Sequence, residues 1–548
     1  MLLTFNKNAM KYLYLIGLLF FSFIVFSQTP PQLTWSKSIG GSADELIGAF
    51  ATISANYGRN AAIEVDENDI IYMASTTNSS DFNIPSNSGD EDIFLIAMSM
   101  AGNILWTKMI AGSSSERVHR IKARQGGGCI VVCNSISNDG DFANNHSQGY
   151  YDAAIFVYDS NGNLQWSKMY GGESIDYLYD IIYTSDGYLM ACGESISATG
   201  HLAGTGAGMN WVIKINPTNG AVVWSKTFLG PDSSSPDWLE NVYRLVELSN
   251  GDIILTGFTT PDFNNFNLDR ISVISISLSG SLNWKKKIGA TGSGDYPAAI
   301  VDNGNGSFFI LGKLLGTIGG SDDASNYYGG NGDAWLINLD YDGNIIWEKN
   351  IGGTNLDMGY DMKINSEGYI YIAGMTRSND YEASQPGMGN LDFWLVKTTN
   401  SGDTVYTQKY GGSGNDFACQ MVLANTEKTI FLIGGSDSND GMILNNLGGR
   451  DLWVVKLDYN NTNNSQIIDN SNIISNKISP NPANDFVTIV LNNESEVYII
   501  DMHGKQKMYY KLKQGNHLLN INKLEQGLYF IKIVDNKTIV ERTKIIKL

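Results

Sequence analysis

The chain of 548 residues is 43% hydrophobic and 17% charged, with 59 glycines and 11 prolines, which excludes a disordered tail and allows a large, turn-rich core. Its 37 basic and 56 acidic side chains leave a net charge of -19, a field that repels phosphate backbones and anionic bilayers, so no nucleic acid partner is expected. Four cysteines cannot staple so long a chain, and five histidines leave little material for a zinc or general-base site.

At the start, Lys7 and Lys11 precede an apolar run from Tyr12 to Phe26 that stops at Ser27-Gln28, before Pro30-Pro31. The run is shorter than the ~20 residues that cross a bilayer, so residues 1-27 read as a secretory signal peptide. No second apolar stretch follows, and no transmembrane segment is expected after its removal. No cysteine at the cleavage region offers a lipid attachment point.

A repeat begins at once. Trp35, Trp106, Trp166, Trp224, Trp284, Trp347 and then Tyr406 open similar phrases, such as WSKSIGG, WSKMYGG and WEKNIGG, at spacings of 71, 60, 58, 60, 63 and 59. Each unit holds four apolar, β-branched or aromatic runs closed by Gly, Asn, Ser or Asp, as expected of a four-stranded blade. The last unit ends at Asp451 to Asp458 without its Trp-Lys-Gly-Gly strand, whereas Leu33 to Gly41 opens the chain alone. Pairing that first strand into the last unit closes a ring of seven and removes an open edge. The loop Gly40 to Asn60 carries the extra residues behind the spacing of 71.

The expected fold is all-β: a seven-bladed β-propeller over residues 28-458, a linker over 459-474 and a small C-terminal β-sandwich over 475-548. The long loops after the second and fourth strands of each blade emerge on one face, where a rigid scaffold presents binding loops. Gly411 to Asp440 resembles a bacterial β-propeller repeat family whose units read Gly-Gly-Ser, an acid, an inner strand, a Gly-rich strand and a Ser/Asp loop. Gly220 to Trp224 is similar to the Gly-x-x-x-Trp docking motif of quinoprotein-type propellers, repeated at Gly162/Trp166 and Gly343/Trp347. These resemblances imply the fold and leave the ligand open.

After each Gly-Gly or its equivalent comes an acid: Asp44, Glu116, Asp176, Asp237, Asp295, Asp357 and Asp416. Seven carboxylates at one phase form a ring near the channel mouth, able to hold a hard cation such as calcium or to line a polar ligand site. Against this, the offset from the glycine varies from three to seven residues, and short acids at strand entrances bond local backbone N-H groups. The balance favours a structural ring. A second set precedes the third strand of each unit, Asp92, Asp152, Asn210, Asp269, Asp333, Asp392 and Asp451, and the Asn in one unit shows that charge there is dispensable. Cys133 and Cys192 align with Ala74, Thr256 and Ala373 of other units and read as small core residues, and no cofactor is required.

Residues 475-548 hold 11 basic and 7 acidic side chains, whereas residues 28-474 hold 24 and 49, so a second module follows the linker. Its phrases ISPNPANDFVTIVL, VYIIDMHGK, LEQGLYFIKI and KIIKL are similar to the type A C-terminal sorting domain of the type IX secretion system of Bacteroidetes. The matching positions are Pro480, Asn481, Pro482, Gly504, Gly527 and Lys547. The resemblance implies type IX machinery as a partner and a secreted or outer-membrane surface location.

For function, a binding or adhesion protein for an extracellular glycan or protein is weighed against a secreted polysaccharide-acting enzyme, a glycoside hydrolase or lyase. His119, His146 and His201 fall in different repeat phases and no nucleophile-elbow phrase occurs, so no catalytic set is nominated. Hydrolysis would need two or three ring acids to converge in one cleft with an Arg or His.

Overall fold

The computed structural model describes residues 29–46, 61–85, 87–146, 149–202, 210–228, 239–260, 270–289, 295–315, 323–324, 327–330, 332–424, 428–443, 446–459, 478–479, 486–491, 494–501, 505–535 and 538–547. The expected signal peptide, Asp237, Asp269, Pro480, Asn481, Pro482 and Gly504 lie outside the described residues. The chain divides into two compact units, Met1–Asn460 and Asn461–Leu548. No described helix is long and apolar enough to cross a membrane.

Among the described residues the first unit contains seven antiparallel sheets: five are four-stranded meanders, one takes its fourth strand from the start of the chain, and one has five strands because its inner edge is in two pieces. In blade 3 the strands are Asp176–Tyr183, Leu189–Ser195, Asn210–Ile215 and Val222–Phe228, from inside to outside. Its second and third strands, LMACGES and NWVIKI, are buried along their whole length because neighbouring blades cover both faces, and they are apolar except at Glu194, Ser195, Asn210 and Lys214. The outermost strand is only partly covered and alternates polar residues accordingly.

The seven innermost strands are Ala61–Val65, Glu116–Ala123, Asp176–Tyr183, Leu239–Glu247, Tyr296–Asp302, Asp357–Ile364 and Asp416–Ala424. Each packs against the next, and the seventh packs against the first, so the ring is closed. The closing blade takes Gln32–Ile39 as its outermost strand, antiparallel to Asp451–Asp458, with Trp35 opposite Lys456. This is the seven-bladed propeller that the phase of the tryptophan phrases predicts.

Those tryptophans join blade to blade. Trp106 Nε1 donates to Ser160 O at 2.9 Å, Trp166 Nε1 to Pro217 O at 2.9 Å, and Trp284 Nε1 to Tyr341 O at 3.2 Å, each acceptor lying in the outer turn of the next blade. The glycine of that turn has φ near +80° and lies against the indole: a Cβ at Gly162 would stand 2.9 Å from Trp106. Gly-x-x-x-Trp therefore couples a glycine to the preceding blade's tryptophan, while its own tryptophan reaches the following blade. The indoles are half-buried, not fully enclosed, because they lie on outer strands.

Blade 1 departs from the predicted loop. Glu45–Leu46 already pairs with Thr76 and Thr77, and Ala61 resumes the pairing at Ser75. The excess residues, 47–60, thus interrupt the first inner strand and do not lengthen the loop before it. At the other end Tyr459, counted with the linker in the sequence, hydrogen-bonds through its hydroxyl to Tyr406 and, at 3.1 Å, to Tyr371.

The second unit has a three-stranded sheet, Ile478–Ser479, Phe486–Leu491 and Gly515–Asn520, and a four-stranded sheet led by Gln506–Leu512 and Ser495–Asp501. Period-two alternation sends Val487, Ile489 and Leu491 from one sheet, and Val497 and Ile499 from the other, into a shared core. Gly527 and Lys547 are direct partners across the last two strands, Gly527–Asp535 and Thr538–Lys547.

Candidate functional site

The predicted acid ring resolves into separate buried staples at the blade junctions. Asp176 Oδ2 accepts from Gly172 N and Ser197 Oγ, both at 2.7 Å, and Asp176 Oδ1 accepts from Ser195 Oγ. Asp357 repeats this with Gly353 N, Ser378 Oγ and Thr376 Oγ1, and Asp416 with Gly412 N, Ser438 Oγ and Ser436 Oγ. Glu116 takes Gly112 N, Ser135 Oγ and Ser137 Oγ. Each acid lies four residues after the glycine whose N–H caps it, so the variable offset of the sequence reading does not hold at these junctions. The Ser/Thr-x-Ser at the end of each second strand is the sequence signal that marks the staple.

The constant spacing also corrects one position. In blade 1 the buried acid is Glu45, 1% exposed, which accepts from Gly41 N at 3.2 Å and Thr77 Oγ1 at 3.0 Å. Asp44 is exposed and accepts instead from Arg450 N. Asp295 is fully buried at the entrance of its inner strand.

The second set faces the first. A Cβ at Gly171 would stand 2.7 Å from Asp176 Oδ2 and 2.8 Å from Asp152 Oδ1, and Gly352 sits likewise between Asp357 and Asp333. The first glycine of each Gly-Gly makes room for two carboxylates, and the second supplies the capping N–H. Burial raises these acids, Asp416 to about 6 and Asp333 to about 7, and pushes Glu45 and Glu116 up as well. Among the described residues, no group of three or more His, Cys, Asp or Glu could hold a metal ion. Among the described residues, the acids lie in pairs at five of the seven junctions and do not converge in a cleft.

Concave chemistry lies elsewhere, at the channel. Six inner strands carry a one-residue bulge at the same register, between Val118 and Arg120, Leu178 and Asp180, Val242 and Arg244, Pro297 and Ala299, Gly359 and Asp361, and Ala418 and Gln420. A bulge leaves its extra residue unpaired and re-aims its side chain. The extra residues His119, Tyr179, Tyr243 and Tyr360 thereby line one small, partly enclosed pocket of about 40 Å³, together with Arg244 and Lys313.

The residue after each bulge reaches across to the next blade. Asp361 Oδ2 accepts from Met421 N at 3.0 Å, Gln420 Oε1 from Ile63 N at 2.8 Å, and Arg244 Nε donates to Ala298 O at 3.1 Å. Arg120 pairs with Asp180 at 3.0 Å. These contacts fix the bulges. A polar residue four positions after the junction acid, in an otherwise apolar strand, is their sequence signature at Arg120, Asp180, Asp361 and Gln420.

Within the pocket wall, Tyr179 and Tyr243 lie 4.9 Å apart by ring centroid, and His119 meets Tyr179 edge-on at 5.1 Å. Burial, with Arg244 and Arg117 nearby, holds His119 down at about 3, so its ring is neutral and its Nε2 accepts from Asn134 Nδ2 at 2.7 Å. Tyr179 donates its hydroxyl to Glu194 at 2.8 Å. The pocket wall combines aromatic faces, phenol groups and cations. None of these pocket residues was singled out as a site in the sequence, where only His119 was noted.

Comparison with known proteins assigns the second module. Residues 477–547 match the secretion system C-terminal sorting domain family. The chain therefore carries a type IX sorting domain and is secreted or attached at the outer-membrane surface. The curated regulatory protein FlaEY of Caulobacter vibrioides is 22% identical over 332 residues, covering 52% of this chain and 35% of that protein, so the chain spans about a third of its length. Among solved structures, PorZ, a surface component of the type IX secretion system of Porphyromonas gingivalis, is 13% identical with a TM-score of 0.38, covering 91% of this chain and 60% of its own. The WD40 domain of Toxoplasma gondii coronin is 7% identical with a TM-score of 0.41, covering 79% of this chain and 89% of its own.

Proposed function

We propose that the protein is exported by the type IX route and binds an extracellular glycan at the channel-mouth pocket without transforming it. The observation that carries this reading is the convergence of His119, Tyr179, Tyr243 and Tyr360 from four blades on one pocket. Tyr360, half-buried, offers an apolar ring face and a hydroxyl to a sugar, a combination suited to carbohydrate, while Tyr179 and Tyr243 are buried in the wall behind it. The junction acids support binding over hydrolysis. Among the described residues, Glu116, Asp176, Asp357 and Asp416 are each buried among their own serines or threonines and glycines, and no pair of them flanks a substrate-sized cleft.

The test is a glycan and matrix-protein array probed with the full-length chain and with Tyr360→Ala, a half-buried pocket residue whose loss the fold should tolerate. Glycan binding that falls with Tyr360→Ala, with every bound glycan recovered intact, supports the proposal. Binding unaffected by the substitution, or cleavage of a bound glycan, contradicts it.

A further inference from the structure

Lys313 lies in the second strand of blade 5, Ser307–Leu314, opposite Tyr296, and is 6% exposed. Among the described residues, its Nζ has no hydrogen-bond acceptor. Other buried lysines of the propeller have partners: Lys214 has Asp186 and Leu278 O, Lys409 has Ser378 O and Asn379 Oδ1, and Lys397 lies over the rings of Tyr369 and Tyr371. Burial alone draws Lys313 down, to about 8, which leaves it mostly charged at neutral pH.

A buried ammonium without an acceptor is unfavourable unless another group supplies the missing charge. No carboxylate lines the pocket that Lys313 faces. Glu194, close by, is engaged by Tyr179. Arg244 lines the same pocket, with Nε on Ala298 O and Nη1 on Tyr243 O. A chain of net charge -19 thus places two cations and no acid in its aromatic pocket. The complementary ligand carries an anionic group on a ring bearing hydroxyls.

We propose that the pocket takes the anionic group of one residue of an acidic glycan, countered by Lys313 with Arg244 on the same wall, while the sugar ring rests outside it against Tyr360. This rests on the channel mouth being the binding site. Carboxylate and sulfate share the required charge, so both are tested.

The experiment is calorimetric titration of the full-length chain with trigalacturonate, sulfated galactotriose and neutral galactotriose. It compares the wild type with Lys313→Met, Lys313→Arg and Tyr360→Ala. The wild type should bind at least one acidic probe ten or more times tighter than galactotriose. Lys313→Met should abolish that preference, and Lys313→Arg, which keeps the charge, should retain it. Raising the pH from 7 to 9 should weaken acidic binding in the wild type and leave Lys313→Met unchanged. Equal binding of acidic and neutral probes, a preference that survives Lys313→Met, or no binding of either acidic probe at millimolar concentration overturns the proposal. If glycans still bind through Tyr360 in those cases, the pocket remains the site and only its acid preference is lost; if binding ignores Tyr360, both readings fall.

Discussion

Asp392 Oδ1 and Asp416 Oδ2 face each other across Gly411, which has no side chain to separate them. A Cβ there would stand 2.7 Å from one and 2.6 Å from the other. Gly411→Ala should therefore cost about 2 kcal/mol, the scale of overpacking in a buried site, although its backbone conformation suits alanine. Urea unfolding of the propeller checks this, and an unchanged midpoint would show that the junction is looser than described.

The same pairing gives stability a pH dependence with a definite sign. Asp333 and Asp416 rise from 3.8 to about 7 and about 6 on folding, so the folded state binds more protons and their contribution is lost as pH climbs through that window. His119, drawn from 6.5 to about 3, works in the opposite direction as pH falls below 6.5. The test is consequently a difference between variants. Asp333→Asn should flatten the decline in melting temperature between pH 4 and about 7, since Asn210 already fills this phase in blade 3. An identical slope in the variant would remove Asp333 as its source.

Backbone strain supplies a third expectation. Gly140, Gly200 and Gly441 have φ of 56°, 63° and 65° at one loop position, where the next residue's N–H bonds the preceding blade's Gly or its equivalent. Phe82 occupies that position in blade 1 with φ of 52° and is 67% exposed. The left-handed conformation costs a bulky residue ~1–2 kcal/mol, against ~0.5–1 kcal/mol of extra unfolded-state entropy for glycine. Phe82→Gly should thus stabilise the propeller by roughly 0.5 kcal/mol, and thermal unfolding reads it as a small rise in melting temperature. A fall would place Phe82 in a contact that outweighs the strain.

How much of this was legible depended on whether a feature repeats. Trp35 to Trp347 recur because each outer strand must dock on the next blade's turn, and their phase alone predicted the closing strand Gln32–Ile39. The acid of blade 1 was misplaced by one residue, since Asp44 and Glu45 are adjacent and the four-residue spacing from Gly41 that selects Glu45 emerges only from the capping hydrogen bonds. The pocket could not be read. The bulge register that supplies it holds His119, Tyr179, Tyr243, Ala298, Tyr360 and Cys419, which share no identity, and the polar residue that follows the bulge, as at Arg120, Asp180, Asp361 and Gln420, marks the bulge without marking a pocket.

Export gives a fourth prediction. The match over residues 477–547 makes the second unit a sorting address, and the ring is closed without it, since Gln32–Ile39 completes the last blade. Deleting residues 475–548 should leave a folded propeller in the periplasm, recovered by fractionation. Normal yield at the surface or in the medium would show that another segment directs export.

The central claim is that the channel-mouth pocket, and not the ring of junction acids, is the ligand site. A crystal structure of the full-length chain saturated with the tighter-binding of the two acidic probes tests it most directly. The account predicts the probe's anionic group in the pocket, with an oxygen about 2.7–3.2 Å from Lys313 Nζ and the sugar ring against Tyr360. A sugar seated against the junction acids or the outer strands, or an empty pocket at saturating ligand, would contradict it.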